Sequence, residues 1–207
     1  MAERDGVLST LERRSPTLYL IAAVVMIVFL VNSALRTYQG TSYPAIQQFI
    51  APAGFLIGLV GLMGLYRPLS DRARRLAQVS LAVAVLSALN WTAIVAAGLL
   101  ETAGSIPENA TFQAITGVLA LFSMVFAYGL FGVTSMQTGA YRRVISGFLL
   151  LEAVTFVAMV ANSAASLGAP VLIFEASHFV AYLGLGIAHR GVDTQADRAD
   201  PTADPTV

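Results

Sequence analysis

Glu152, Glu175 and His178 are ionisable side chains set inside long stretches that carry almost no charge. Glu175 and His178 stand at i and i+3, one helical turn apart on one face. Tyr182 and His189 continue that face at helical spacing. Measured at 1.5 Å per residue from the arginines that border the apolar stretches, Glu152 lies at a depth of about 13 Å. On the same scale His178 lies at about 18 Å, and Glu175 and Asn90 at about 22 Å. A charged group near the middle of a bilayer costs about 2.5–3.5 kcal/mol on the insertion scale, so such residues turn toward a bundle interior or toward water.

These residue types support three kinds of chemistry. A carboxyl group touching an imidazole passes one proton between them near neutral pH. Glu152, Glu175, His178, Tyr182 and Asn90 are therefore candidate proton- or cation-binding residues. The Glu-x-x-His spacing at Glu175 and His178 is also half of a carboxylate-bridged di-metal motif, which needs a second copy and two further Glu residues. One copy and one extra Glu leave at most a mononuclear set of Glu152, Glu175 and His178, suited to Zn, Mn or Fe but short of the usual second His. A haem between two imidazoles is poorly served, because His178 and His189 sit on one helix about 16 Å apart. The bland alternative is a hydrogen-bonded lock between helices, with contacts worth about 0.6 kcal/mol each in a membrane. No cofactor is called for. Gly-x-Ser-x-Gly, His-Glu-x-x-His and a phosphate-cradling Gly-Lys-Ser loop do not occur.

The elements that must hold these residues are membrane spans. Of 207 residues 57% are hydrophobic and 12% charged, about half the charge of a typical soluble domain. No charge falls between Leu76 and Leu100 or between Thr111 and Tyr141. Six spans are expected: Thr17–Leu35, Ala45–Tyr66, Leu76–Leu100, Phe112–Met136, Val144–Ser166 and Pro170–His189. A helix of 20 residues crosses a core of about 30 Å. The sixth is the shortest and most polar, and its rival reading is a re-entrant or interfacial segment. The first apolar run exceeds a signal peptide's and no clear cleavage site follows it, so an uncleaved helix is expected.

The 12 basic residues are all Arg. With the N-terminus inside, Arg4, Arg13, Arg14, Arg67, Arg72, Arg74, Arg75, Arg142, Arg143, Arg190 and Arg198 fall on the cytoplasmic side and only Arg36 outside, as the positive-inside rule requires. Both ends are then cytoplasmic. Residues 1–16 form an inner N-terminal segment, 17–190 the membrane domain, and 191–207 an acidic, Pro-containing tail expected to be disordered. Gly61-Leu62-Met63-Gly64 followed by Arg74-Arg75 matches Gly129-Leu130-Phe131-Gly132 followed by Arg142-Arg143 at an offset of 68 residues. That offset suggests a parallel two-helix repeat.

Polar stripes sharpen the expectation. Glu152, Thr155, Met159, Asn162, Ser163 and Ser166 share one side of the fifth span, and Ser80, Ser87 and Asn90 one side of the third, while the first is almost uniformly apolar. A short loop makes the fifth and sixth spans antiparallel neighbours, so their stripes face each other. Gly54, Gly58, Gly61 and Gly64 should let another helix approach the second span. Tyr19, Tyr38, Tyr43, Tyr66 and Tyr141 read as interfacial anchors, and Trp91 as a deeper lining residue beside Asn90.

The expected fold is an all-α, polytopic six-helix bundle of the cell membrane, N-in and C-in. Its Lys-free, Arg- and Ala-rich composition points to a GC-rich, prokaryotic coding sequence. Zero Cys excludes disulfides and thiolate sites, and zero net charge gives no reason to expect nucleic acid. The expected partners are membrane lipids, with the basic segment Arg67–Arg75 suited to anionic headgroups, and a membrane protein or a second copy of the chain. Three functions stay open: a small proton- or cation-linked transporter or channel, a non-catalytic scaffold or complex subunit, and an intramembrane metal-dependent enzyme.

Overall fold

A computed structural model describes residues 2–41, 43, 49–105 and 110–196, with backbone alone at 2–5, 110, 113, 114, 163 and 191–196. Its helices are α1 (Ala2–Gln39), α2 (Ala51–Met63), α3 (Tyr66–Thr102), α4 (Ala110–Thr138), α5 (Arg143–Ala165) and α6 (Val171–Ala196). Each packs on its neighbour in the chain, and α6 closes back onto α1. Five of the six are long and apolar enough to cross a membrane.

The outer surface of this ring is apolar. Val24, Ile27 and Val31 on α1, Leu86 and Leu89 on α3, Phe122 and Phe126 on α4, and Val154 and Val157 on α5 are all exposed. In water so much contiguous exposed hydrocarbon would drive association; hydrocarbon around the bundle removes that cost. These are the proportions of a multi-pass membrane protein.

The second span departs from expectation. Its expected first residues, 45–48, lie outside the described ones, and α2 is a helix of 13 residues, about 20 Å long. It is therefore α2, and not the sixth helix, that is short. A turn at Gly64 and Leu65 ends it, with their N–H groups bonded to the carbonyls of Gly61 and Leu62. The chain re-enters helix at Tyr66, with Pro68 in the first turn, where a missing N–H costs nothing. The expected basic inner loop Arg67–Arg75 is thus the first part of α3. The helix departs from helical geometry at Ala73 (φ −145°, ψ 64°), next to Arg72, whose guanidinium donates to the carbonyls of Thr138 and Gly139 at 2.9 and 2.7 Å. Residues 1–16, expected as a polar segment, continue α1 from Ala2, and α6 runs on to Ala196.

Short α2 lines the inside of the ring. Phe55 reaches the rings of Trp91 on α3, Phe156 on α5 and His178 on α6. A Cβ at Gly54 would stand 2.7 Å from Met26 of α1, and one at Gly64 would stand 2.6 Å from the carbonyl oxygen of Leu11. The glycines bring α2 and α1 together, as their spacing suggested, and Ser15 fixes the contact by donating to the carbonyl of Gly61 at 2.8 Å. Gly132, the repeat partner of Gly64, packs on Leu150 of α5 instead, and α4 has 29 residues against 13 in α2. The aligned segments therefore differ in length and in what they touch.

One end of the bundle gathers the arginines. Arg67 approaches Glu12 at 4.0 Å, Arg190 approaches Thr17, and the Tyr141 hydroxyl donates to the carbonyl of Leu65. These contacts bring together the start of α1, the α2–α3 turn, the α4–α5 turn and the end of α6. Arg36 lies at the opposite end, where α1 finishes and α6 begins.

Candidate functional site

Helix α6 presents one buried line to the interior: Glu175, His178, Tyr182, Leu185 and His189. The steps of three and four residues keep successive side chains on one face. Helix α5 lies against one side of that line and α1 against the other.

From α5, Glu152 meets His178. Nδ1 of the imidazole and Oε1 of the carboxyl group share a hydrogen bond of 2.9 Å, with both side chains at most 2% exposed. Phe156 packs on the imidazole at 4.5 Å between ring centroids, and Phe55 meets it edge-on at 5.2 Å. The site is thus walled by hydrocarbon, where a polar contact is strengthened and an unmade one is costly. Oε2 of Glu152 and Nε2 of His178 are buried with no hydrogen-bond partner among the described residues. Each such group costs about 1–3 kcal/mol.

From α1, Ser33 donates to Oε1 of Glu175 at 2.7 Å. Arg36, one turn further along α1, is within electrostatic reach of that carboxyl group, as is His178. Oε2 of Glu175 is also buried and unpartnered among the described residues. The Glu-x-x-His pair therefore divides, with Glu175 turned to α1 and His178 to α5. Among the described residues no three His, Asp or Glu side chains come together as a metal-ligand set.

Below the pair stand three buried tyrosines. The Tyr128 hydroxyl donates to that of Tyr182 at 3.3 Å, and Tyr19 stacks on Tyr182 with centroids 6.2 Å apart. All three are within electrostatic reach of Glu152. Gly58 makes room for them, since a Cβ there would lie 2.7 Å from the Tyr182 ring and 2.8 Å from the Tyr128 hydroxyl. Leu185 is the next buried position, and beyond it His189 meets the edge of Tyr141 at 5.5 Å.

Glu152, His178 and Tyr182 thus come together, and Glu175 stands one turn away. Asn90 does not join them. Its amide donates to the carbonyl of Thr116 at 3.2 Å, and Ser87 shares a 2.9 Å hydrogen bond with Ser123. The polar stripe of α3 is spent on α4. Asn162 closes the α5–α6 turn through both its amide atoms and Ala169, and the side chain of Ser163 lies outside the described residues. Trp91 packs on Phe55 rather than beside Asn90. Tyr19, expected at an interface, is fully buried; its hydroxyl follows the polar column and not the headgroups.

Sequence reasoning missed Ser33, Tyr128, Phe55 and Phe156. Ser33 had a signal: Asn32-Ser33 interrupts an otherwise apolar span three residues before Arg36. The aromatic residues had none, because a Phe on an apolar helix looks the same whether it faces lipid or a carboxyl group. Comparisons with protein-family models, with curated proteins and with solved structures found no match.

Proposed function

We propose that this chain is a small multi-pass protein of the cell membrane, with both ends cytoplasmic, that binds and passes protons through the Glu152–His178 pair. The observation that carries this reading is the incomplete satisfaction of the pair. One hydrogen bond joins the two groups, and each keeps a second buried polar atom without a partner among the described residues. A lock selected for stability alone is better served by an apolar pair of similar volume, since burying ionisable groups is at best neutral. Groups that exchange a proton need an open donor or acceptor on the far side, and both members of this pair have one. The separation of Glu175 from Glu152 favours protons over a metal ion, which would need more ligands in one place.

The polar column supports a direction of travel along α6, and the arginines at one end support placing that end in the cytoplasm. The same bond also ties α5 to α6, and this favours a second reading in which the pair is a helix lock within a scaffold or complex subunit.

The two readings differ in a vesicle assay. The purified full chain is placed in phosphatidylcholine–phosphatidylglycerol vesicles with a pH-sensitive dye inside, and a potassium gradient with valinomycin drives proton uptake. The wild type should acidify the lumen faster than protein-free vesicles. Glu152→Gln and His178→Gln should return the rate to the protein-free level while the protein still elutes as a single folded species. Uptake by the wild type equal to that of empty vesicles, or unchanged uptake in both variants, leaves the lock as the better account.

A further inference from the structure

We infer that Glu175, held by Ser33, is the intake station that loads protons onto the Glu152–His178 pair from the arginine-poor end of the bundle, with His178 as the shuttle between the two carboxyl groups. This rests on the proton-passing reading above and adds the route and the residues of its first leg.

Geometry orders the groups. Glu175 stands one turn from His178 on the same face of α6, about 4.5 Å along the axis, so their side chains are neighbours. His178 is bound on one side only, through Nδ1 to Glu152. Its other nitrogen, Nε2, and the free oxygen of Glu175, Oε2, are both buried and unpartnered among the described residues. An imidazole bound to an acceptor through one nitrogen and open at the other is built to receive a proton on one side and release it on the other.

The transfer balances without a net change of charge. At the start Glu175 is protonated at Oε2, and His178 is neutral with its proton on Nδ1, donating to ionised Glu152. The O–H bond at Glu175 breaks as an N–H bond forms at Nε2. The N–H bond at Nδ1 breaks as an O–H bond forms at Oε1 of Glu152. Glu175 is left ionised beside the hydroxyl of Ser33, with Arg36 in reach. His178 is neutral again in its other tautomer, and Glu152 is protonated. At no point do two uncompensated charges stand in the hydrocarbon interior, which is what the desolvation cost demands.

The surroundings fit the separate roles. Glu175 is faced by Ser33 and Arg36 from α1 and by His178 from its own helix. Glu152 is faced by Tyr19 from α1, Tyr128 from α4, and Tyr182 and His178 from α6. Helix α2, which packs into the same interior, carries no ionisable side chain. The station at Glu175 is thus the one with a cation in reach, suited to alternate between charged and neutral forms. The station at Glu152 has only hydroxyl groups and an imidazole around it, suited to hand a proton onward. Ser33 is a positioning residue, fixing one carboxyl oxygen so that the other is left for His178.

The test uses the full chain in the same vesicles. Glu175→Gln should lower proton uptake roughly 100-fold, the lower end of what a positioned proton-transfer group contributes, and Glu175→Asp should recover part of the rate. Ser33→Ala should lower it about fivefold, the equivalent of one hydrogen bond of about 1 kcal/mol, with Ser33→Thr restoring it. Infrared spectra of the membrane films should lose one protonated-carboxyl band in Glu175→Gln and keep the band that Glu152→Gln removes. Wild-type uptake in Glu175→Gln, with Glu152→Gln silent, overturns the intake station and leaves the pair intact as the proton site. Wild-type uptake in Glu152→Gln overturns the pair itself. If Glu175→Gln does not fold, the remaining variants decide: wild-type rates in both Glu175→Asp and Ser33→Ala overturn the inference.

Discussion

Replacing Glu152 and His178 separately and together measures what their contact is worth. Glu152→Leu takes the partner from Nδ1 of His178, whose Nε2 is already unpartnered among the described residues, so the ring is left with two unmade bonds at a site 2% exposed. At about 1–3 kcal/mol for each newly orphaned group, a loss in that range is expected. His178→Phe leaves Glu152 with both oxygens unpartnered, and a stranded carboxylate raises the cost toward about 3–5 kcal/mol. The double variant has no polar group left and sets an apolar pair beside Phe55 and Phe156. Its loss should fall below the sum of the single losses by about 1–3 kcal/mol, within the range of coupled neighbours and above the membrane average of about 0.6 kcal/mol. Unfolding by sodium dodecyl sulfate in mixed micelles, followed by circular dichroism, measures all four corners. A double loss equal to the sum within about 0.5 kcal/mol means the side chains are uncoupled, and the contact on which the site depends is then not made.

Other outcomes follow from the same geometry. Gly58→Ala pushes a methyl group into Tyr182 and Tyr128, where the contacts would be 2.7–2.8 Å; it should destabilise by about 1–3 kcal/mol and slow proton uptake, both read in the assays above. Asn90→Ala removes a bond between α3 and α4 remote from the pair and should leave uptake at the wild-type rate. The chain has no Cys, so a single introduced thiol reports its side of the membrane. In intact cells an impermeant maleimide should label Ser105→Cys and not Thr10→Cys, and the reverse pattern would invert the orientation.

The sequence made the membrane class and most helix positions readable, because hydrocarbon imposes one pattern on every span: long uncharged runs bordered by arginines. It also pointed to Glu152 and His178, since an ionisable group at lipid depth needs a partner and only the neighbouring helix can supply one. Two features were hidden. The i, i+3 spacing of Glu175 and His178 invited a shared ligand set, yet α6 lies between α1 and α5, and each residue turned to a different helix. That depends on α1 closing the ring, which no local pattern encodes. The brevity of α2 was hidden for a similar reason. Its glycines and apolar residues read as a span, but they serve to enter the interior, where Phe55 and Gly58 touch three other helices. Asn90 was misjudged because depth alone fixes no direction around a helix axis, and its stripe faces α4.

With only two histidines in the chain, solid-state nuclear magnetic resonance in lipid bilayers can test the Glu152–His178 contact directly. His189→Gln leaves a single imidazole to observe, and labelled glutamate supplies the carboxyl carbons. A through-space correlation should join the hydrogen-bonded ring nitrogen of His178 to one glutamate carboxyl carbon, vanish in Glu152→Gln and persist in Glu175→Gln. An imidazole correlated with lipid chains, or a correlation indifferent to Glu152→Gln, would contradict the site at its foundation.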